Sequence, residues 1–202
     1  MAAVPLSFAM YHLAKDQKLQ QKLRKDLEPI FVAANPEHAV DPVMLDEVPL
    51  LHAVLLETLR LYPPLAGGLA RISPDRPVTL CGYPEIPPGT RVSARCYCLH
   101  RNPKVFPEPE AWRPDRWLTA DGLSLATGPD ATEMYRWWWA FGSGSRKCLG
   151  LHLATYVDKI ILGSVIAHFK VKPADETVPE AFDSFIGNLT VQKLDLMIEE
   201  VI

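Results

Sequence analysis

The chain has 202 residues, a formal net charge of −3 at pH 7, and 48% hydrophobic against 22% charged residues. This balance is typical of a globular chain, excludes extended disorder, and gives no electrostatic reason to expect a nucleic-acid partner. No apolar run approaches the roughly 18 residues that a membrane-spanning helix needs, so no membrane span is expected. The four cysteines lack the spacing of a secreted disulfide framework, and no basic residue precedes the apolar opening segment. We therefore expect an intracellular protein without a signal peptide.

The first part of the chain is predicted to be helical. Apolar residues recur at i, i+4 and i+7 over residues 4–34, in two pieces that break at Lys15 and Asp16. Asp16 suits the N-cap of the second piece. A third helix is predicted from Pro49 to Leu61, because proline favours a first helical turn and the Tyr-Pro-Pro sequence that follows stops a helix.

The middle of the chain is predicted to contain short β-segments. Between residues 65 and 101 the candidate strands are Val78–Leu80 and Thr90–Cys98, with turn-rich sequence at Gly82 to Pro84 and at Pro87 to Gly89. Residues 102–136 are rich in Pro, Asp and Gly and are predicted to be irregular.

The last part of the chain is predicted to begin with a long helix after Cys148 and to end in short strands at Leu189–Val191 and Leu194–Ile198. The residues expected on the apolar side of that helix, the side predicted to be buried, are Leu149, Leu153, Val157, Ile160 or Ile161, and Ile166.

The segment before the long helix, FGSGSRKCLG, is the strongest candidate site. A thiolate at Cys148 needs positive surroundings, which the N-terminus of the helix, Arg146 and Lys147 supply. Gly144 permits a turn at positive φ, and Gly150 permits the close approach of a flat, bulky group. The phenyl ring of Phe141 can pack over the sulfur, and the guanidinium of Arg146 can bind an anion.

Several roles for this cysteine remain open from the residues alone. It is an inert surface thiol, a redox or nucleophilic cysteine, a zinc ligand, or the thiolate ligand of a haem iron. The redox role lacks a Cys-x-x-Cys pair and an oriented histidine. Zinc is poorly supported, because Cys96 and Cys98 have the wrong spacing for a ligand knuckle.

The spacing F-x-x-G-x-R-x-C-x-G resembles the haem-binding signature of the cytochrome P-450 family. Its fixed positions here are Phe141, Gly144, Arg146, Cys148 and Gly150. The resemblance implies that Cys148 is the axial ligand of the iron of haem b. It also implies that Phe141 shields the sulfur and that Arg146 and Arg71 bind the haem propionates.

A second resemblance concerns charges in the third helix. Glu57 and Arg60, in the apolar context LLETLRLYPP, are similar to the family's Glu-x-x-Arg. Buried charges of this kind must be paired. Pro114-Asp115-Arg116-Trp117 resembles the family's Pro-Glu-Arg segment, with Asp115 in the glutamate place. The implied role of Glu57, Arg60 and Arg116 is a structural triad that holds the chain behind the haem.

Further segments match the family in the same order. The residues implied to contact substrate, beside the haem, are Pro64, Leu65, Ala66 and Gly67. Residues 86–90 resemble the family's β-hairpin. His100-Arg101-Asn102-Pro103, with Phe106 and Pro109, resembles the start of its meander, the irregular segment before the cysteine loop.

The resemblance runs from Leu6 to the C-terminus and implies a mainly α fold with small antiparallel β-sheets, an α+β class. Residues 1–202 are expected to form a single incomplete domain, the C-terminal part of the family's fold. Residues 4–14 are expected to be the last turns of the central distal helix. The N-terminal half is expected to be absent, with the membrane anchor and with the acid–threonine pair that delivers protons to bound O₂. No distal catalytic residue is therefore expected within the chain.

The function implied is monooxygenation, in which one oxygen atom from O₂ enters a small organic substrate. Electrons are expected from an NADPH-dependent reductase, with Lys147 and Lys159 as candidates for its docking face. Full-length relatives are often anchored in the endoplasmic-reticulum membrane. The alternative is a truncated, non-catalytic product that folds partly or binds haem without turnover.

Overall fold

The structure is a computed structural model that describes residues 3–33, 40–65, 67–175, 181–182, 188–189 and 194–201. The described helices are α1 (Ala3–Lys15), α2 (Gln17–Ala33), α3 (Pro49–Leu61), α4 (Cys96–His100), α5 (Pro129–Trp137) and α6 (Leu151–His168). Short 3₁₀ turns are formed at Met44–Glu47, Pro114–Trp117 and Gly144–Arg146.

The described strands form small antiparallel pairs. They are β1 (Arg71–Ile72), β2 (Val78–Leu80), β3 (Tyr83–Ile86), β4 (Arg91–Val92), β5 (Phe169–Pro173), β6 (Ala181–Phe182), β7 (Asn188–Leu189) and β8 (Leu196–Glu200). The pairs are β1 with β4, β2 with β3, β5 with β8, and β6 with β7. The predicted class, mainly α with small antiparallel sheets, is confirmed.

The two predicted helices at the start of the chain and the break between them are confirmed, with α1 beginning one residue earlier than predicted and residue 34 outside the described part of the chain. α1 ends at Lys15, and the Leu19 amide donates to Asp16 Oδ1 at 2.9 Å, which caps the first turn of α2. α3 begins at Pro49 and ends at Leu61 as predicted. Local signals were sufficient here, because a cap and a proline act on the backbone next to them.

The main core is formed by α1, α2, α3 and α6. Its fully buried side chains include Leu13, Leu23, Leu51, Leu162 and Ile166. A smaller cluster joins α3 to the meander and to α5, and it contains Ala53, Leu56, Phe106, Trp117, Ala131 and Met134. The two clusters share α3, so this helix connects the bundle to the segments that lead to the cysteine loop.

Three expectations for the middle of the chain were wrong in part. The predicted strand from residue 90 to 98 ends at Val92, and Cys96 begins α4, whose turn the Leu99 amide closes on the Arg95 carbonyl at 3.0 Å. The turn predicted at Gly82 to Pro84 contains the start of strand β3 at Tyr83. Residues 129–137 form helix α5 where irregular chain was expected, because Ala131 and Met134 are buried against the Trp117 cluster.

The strands predicted near the C-terminus are found only in part. β8 begins at Leu196 and continues to Glu200, two residues later at each end than predicted. Leu189 lies in β7, and residues 190 and 191 lie outside the described part of the chain.

The long helix after Cys148 is confirmed, but its predicted apolar side is mostly not buried. Leu149 is fully exposed and Leu153 is 70% exposed, and of the predicted set only Ile166 is in the core. The buried side of α6 instead carries Asp158 and Lys159 beside its apolar residues. α6 is apolar nearly all round, so periodicity alone did not identify the packed side.

The prediction that Lys159 contributes to a docking face for a reductase is therefore wrong. Its side chain is buried, its ammonium donates to the Asp46 carboxylate, and Nζ lies 3.2 Å from His52 Nδ1. Burial, with the Lys159 charge nearby, lowers the pKa of His52 to about 4. The imidazole is thus neutral near pH 7, which suits its position beside a buried ammonium.

Candidate functional site

The cysteine loop lies between α5 and α6 and closes on itself. The Cys148 amide donates to the Phe141 carbonyl at 2.8 Å, and the Lys147 amide donates to the Gly144 carbonyl at 3.1 Å. Gly142 has φ 74° and Gly144 has φ 71°, a region in which a side chain is strained. The positive φ expected at Gly144 is therefore present, and the two glycines allow the loop to turn tightly ahead of the cysteine.

The thiol of Cys148 is exposed. A Cβ added at Gly150 would lie 3.9 Å from the Cys148 sulfur, which is an ordinary contact distance. Leu149 in the loop and three α6 residues that follow it at four-residue spacing are also exposed: Leu153, Val157 and Ile161. We refer to Cys148 and these four residues as the cysteine face.

The cations predicted near a bound anion are exposed. Arg146 lies in the loop itself. Arg71 lies in β1, where its guanidinium donates to the Leu69 and Ala70 carbonyls at 3.4 and 3.1 Å. The described hydrogen bonds of Arg71 thus join it to its own segment and not to the cysteine loop.

The segment predicted to contact substrate connects α3 to β1. Pro64, Leu65 and Gly67 are half-buried, and Ala66 lies outside the described residues. No described contact joins this segment to Cys148. Its proposed role therefore depends on its position in the chain order and not on an observed contact.

The three residues of the predicted triad do lie together. Arg60 binds Glu57 with two hydrogen bonds, Nε to Oε2 at 2.9 Å and Nη2 to Oε1 at 2.8 Å, and both side chains are fully buried. Arg116 Nε donates to Glu57 Oε1 at 3.1 Å. Burial lowers the pKa of Arg116, and the Glu57 charge opposes that shift. We refer to Glu57, Arg60 and Arg116 as the buried charge cluster.

The carboxylate of Glu57 has two further donors that the sequence reasoning missed. The Trp117 indole donates to Oε2 at 2.8 Å, and the Arg113 amide donates to Oε1 at 2.9 Å. The position of Trp117 directly after Arg116 was a usable signal, since a 3₁₀ turn brings both side chains to one site. Five hydrogen bonds in total satisfy this buried carboxylate.

Arg60 connects the buried charge cluster to the meander. Its Nη1 donates to the His100 and Pro109 carbonyls at 2.7 Å each, and its Nη2 donates to the Ala111 carbonyl at 3.0 Å. One side chain of α3 therefore binds three backbone positions of a segment with little regular structure.

The run of tryptophans before the loop is also attached to α3. The Trp138 indole donates to the Leu56 carbonyl at 3.0 Å, and its ring lies 5.9 Å from the ring of Phe141. Phe141 therefore packs against Trp138 at the start of the cysteine loop.

The alternative roles of the cysteines gain little support. Among the described residues no group of three His, Cys, Asp or Glu side chains forms a metal site. All four cysteines are free thiols. Burial raises the pKa of Cys96, whose thiol donates to the Trp139 carbonyl at 3.1 Å, and this opposes a reactive thiolate there.

The cysteine face fits a flat, mostly apolar ligand with an anionic edge. It has an exposed sulfur donor, a row of exposed aliphatic side chains and a nearby guanidinium. These are the donor, the packing surface and the counter-charge that a haem with its propionates requires.

Comparison with known proteins agrees with this chemistry. The sequence model of the family described as Cytochrome P-450 matches residues 2–198. The chain is 31% identical to "Cytochrome P-450 monooxygenase hkm5" of Aspergillus hancockii, over 89% of this chain and 34% of that protein. It is 39% identical to "Cytochrome P-450 11B2, mitochondrial" of Mesocricetus auratus, over 83% of this chain and 30% of that protein.

A human protein is similar to the same extent. The chain is 35% identical to "25-hydroxyvitamin D-1 alpha hydroxylase, mitochondrial" of Homo sapiens, over 86% of this chain and 32% of that protein. The chain therefore spans about a third of the length of the curated relatives it matches.

The chain belongs to the cytochrome P-450 family. Members of this family are haem-thiolate monooxygenases, a class of oxidoreductase that binds haem b. Within the described residues, no helix has the length and apolar character needed to cross a membrane.

Proposed function

We propose that this chain is the haem-binding, C-terminal portion of a monooxygenase that inserts one oxygen atom from O₂ into a small organic substrate. The observation that carries the proposal is the exposed Cys148 thiol in a loop with the family's motif. Residues 1–202 would then be one incomplete domain of the larger family fold. The share of each relative that the chain covers supports this interpretation.

Cys148 would hold the iron through its thiolate sulfur. Haem b, when bound, supplies the oxidising chemistry, and a thiolate ligand increases electron density at the iron, which favours O–O cleavage. This chain's residues supply ligation, orientation and exclusion of water. Phe141 would shield the sulfur, Gly144 and Gly150 would leave room for the ring, and Arg146 and Arg71 would bind the propionates.

The exposed row of α6 would pack against the ring system. A side chain such as Leu153, at 70% exposure, gains apolar contact from a ligand that the chain itself does not supply. This accounts for an apolar row on the outer side of a helix whose other side is already packed.

The buried charge cluster would position the loop without taking part in the chemistry. Glu57 is fully buried and belongs to the α3 core, so it has no access to substrate. Its bonds to Arg60 and Arg116 fasten the meander, and the meander leads to the cysteine loop.

The substrate would contact Pro64, Leu65, Ala66 and Gly67. Electrons would come from an NADPH-dependent reductase, for which the exposed Lys147 beside Cys148 offers a basic contact. We infer an intracellular location, and the relatives named as mitochondrial are compatible with it.

A second candidate is a non-catalytic product that binds haem without turnover. The coverage of the curated relatives motivates it, because the chain spans about a third of their length. Spectra test ligation, and oxygenation assays with an added reductase separate the two candidates.

The ligation test uses two matched cysteine variants, Cys148→Ala and Cys98→Ala, since both thiols are exposed. The chain is reconstituted with haem, reduced and exposed to carbon monoxide. We expect the red-shifted Soret band of a thiolate ligand in the parent and in Cys98→Ala, and its loss in Cys148→Ala. An imidazole-like band in the parent, or no haem uptake, would contradict the proposal.

A further inference from the structure

His100 connects the buried charge cluster to the start of the cysteine loop. Its side chain is fully buried at the end of α4. Nδ1 lies 2.9 Å from the carbonyl oxygen of Arg60, and Nε2 lies 2.7 Å from the amide nitrogen of Trp139. One imidazole therefore bridges the backbone of α3 and the backbone that enters the loop.

These two partners determine the tautomer. The Arg60 carbonyl can only accept, so Nδ1 must carry the proton, and the Trp139 amide can only donate, so Nε2 must be free of one. Burial lowers the pKa of His100 to about 3, and the nearby charges of Arg60 and Arg101 act in the same direction. The ring is thus neutral, and each nitrogen has one fixed task.

The hydrogen bonds continue from Trp139 towards Cys148. The Trp139 carbonyl accepts from the Gly142 amide at 2.8 Å, and the Phe141 carbonyl accepts from the Cys148 amide at 2.8 Å. His100 thus holds the first backbone position of a short, bonded turn whose last position is Cys148. A bond lost at Trp139 would act on the loop three residues before Gly142 and five before Gly144, the two glycines with positive φ.

We propose that His100 is a positioning residue that sets the entry of the cysteine loop relative to α3, so that the Cys148 sulfur is held in place for its ligand. The bond from Nε2 to Trp139 performs this task, and the bond from Nδ1 to Arg60 orients the ring. This proposal rests on the proposed function for the identity of the ligand, but the geometry that it describes is independent of that ligand.

Two amide variants separate the bonds. In His100→Gln the side-chain oxygen reaches the position of Nε2 and can accept from the Trp139 amide. In His100→Asn the amide reaches only the position of Nδ1 and can donate only to Arg60. Both variants place a neutral amide in the same buried site and lose the ring, and they differ in which of the two bonds they retain. Faster loop exchange in His100→Asn than in His100→Gln therefore reports the loss of the bond to Trp139, because His100→Gln instead loses the bond to Arg60.

The first measurement is amide hydrogen exchange on the full chain without haem. We expect His100→Asn to accelerate exchange from Trp139 to Cys148 by roughly 3- to 10-fold, the effect of one hydrogen bond, with His100→Gln close to the parent. With haem, reduced and bound to carbon monoxide, His100→Asn should lose thiolate band intensity that His100→Gln retains. Equal exchange and equal spectra in the two variants would overturn the proposal.

Gln20→Leu is the matched control. Gln20 is also a buried side chain that bridges backbone groups, with bonds to the Leu13 and Val171 carbonyls at 2.9 and 2.8 Å, but it lies in the α1, α2 and β5 region. It should lower overall stability without accelerating exchange selectively in the loop. If it changes the loop and the thiolate band as His100→Asn does, the effect is one of general stability and the proposal is wrong.

A measurement on the parent chain does not depend on how the variants fold. Nitrogen-15 chemical shifts of the His100 ring should show a protonated Nδ1 and an unprotonated, hydrogen-bonded Nε2. The opposite tautomer would overturn the proposal.

The two proposals can fail separately. A parent chain without a thiolate band would contradict the proposed function. Loop exchange that still differs between the two amide variants would leave the positioning role supported.

Discussion

The buried charge cluster and the cysteine face differ in how many contacts their side chains make within the chain. The carboxylate of Glu57 has five hydrogen-bond donors and no exposure to solvent. Cys148 is exposed, and Leu149 beside it is fully exposed. The cluster is complete within the described residues, whereas the cysteine face presents groups that gain contacts only from something else.

This difference separates residues that stabilise the chain from residues that bind. A change in the buried charge cluster should appear in the free energy of unfolding of the chain alone. A change on the cysteine face should leave that free energy nearly unchanged and should appear when the ligand is added. The segments that resemble the family contain residues of both kinds, and burial is what distinguishes them.

The largest expected effect is that of Glu57→Gln. It leaves the charges of Arg60 and Arg116 without a carboxylate in a buried site, which costs about 3–5 kcal/mol of unfolding free energy. Urea unfolding measures it. The control is Glu199→Gln, which removes the exposed partner of Lys172 at 3.4 Å and should cost less than about 1 kcal/mol. Similar losses in the two variants would contradict the assignment of a structural role to the cluster.

Asp158 is a buried carboxyl that, unlike Glu57, is not fully satisfied by hydrogen bonds within the described residues. It lies on the packed side of α6 and is buried, yet its Oδ1 has no hydrogen-bond partner among the residues the structure describes. Burial raises the pKa of this carboxyl from 3.8 to about 6. The folded chain therefore holds the proton more tightly than the unfolded chain, and stability falls as pH rises from about 4 to about 6.

Asp158→Asn should remove this loss. The difference in unfolding free energy between variant and parent should stay constant below pH 4. Between pH 4 and pH 6 it should change in favour of the variant by about 1–3 kcal/mol, the free energy that corresponds to the raised pKa. Urea unfolding at several pH values measures the difference. Asp121→Asn is a contrasting control, because hydrogen bonds from Thr119 and the Leu123 amide lower the pKa of Asp121 and give the opposite sign. A difference between Asp158→Asn and the parent that does not change with pH would contradict the prediction.

Features with local causes were predictable from the sequence. The boundaries of α3 follow from Pro49 and the prolines after Tyr62, and the break between α1 and α2 follows from the cap at Asp16. The residues of the buried charge cluster were also identified. Charges within a strongly apolar helix require partners, and the resemblance to the family's Glu-x-x-Arg and Pro-Glu-Arg segments indicated Arg116 as one of them.

Features that depend on distant packing were not predictable. Whether α6 buries Leu153 or Leu162 depends on which helices meet it, since both sides are apolar. The strand predicted up to Cys98 gives way to α4, whose last residue His100 lies against Arg60, 40 positions earlier. The roles of Trp117 and His100 likewise could not be predicted from the sequence, because their hydrogen bonds join residues that are far apart in the chain.

The smallest stability effect is expected for Leu153→Ala, and it is the sharpest test of the comparison because α6 contains its matched control. Leu153 is 70% exposed, so its truncation should change the free energy of unfolding by less than about 0.5 kcal/mol. Leu162→Ala is the same substitution on the packed side of the same helix, at 0% exposure, and should cost about 2–5 kcal/mol. Haem titration should reverse the order, with weaker haem binding in Leu153→Ala than in the parent, because only Leu153 belongs to the cysteine face. If Leu153→Ala unfolds as readily as Leu162→Ala, the outer row is part of the core of this chain and the division between the two regions fails.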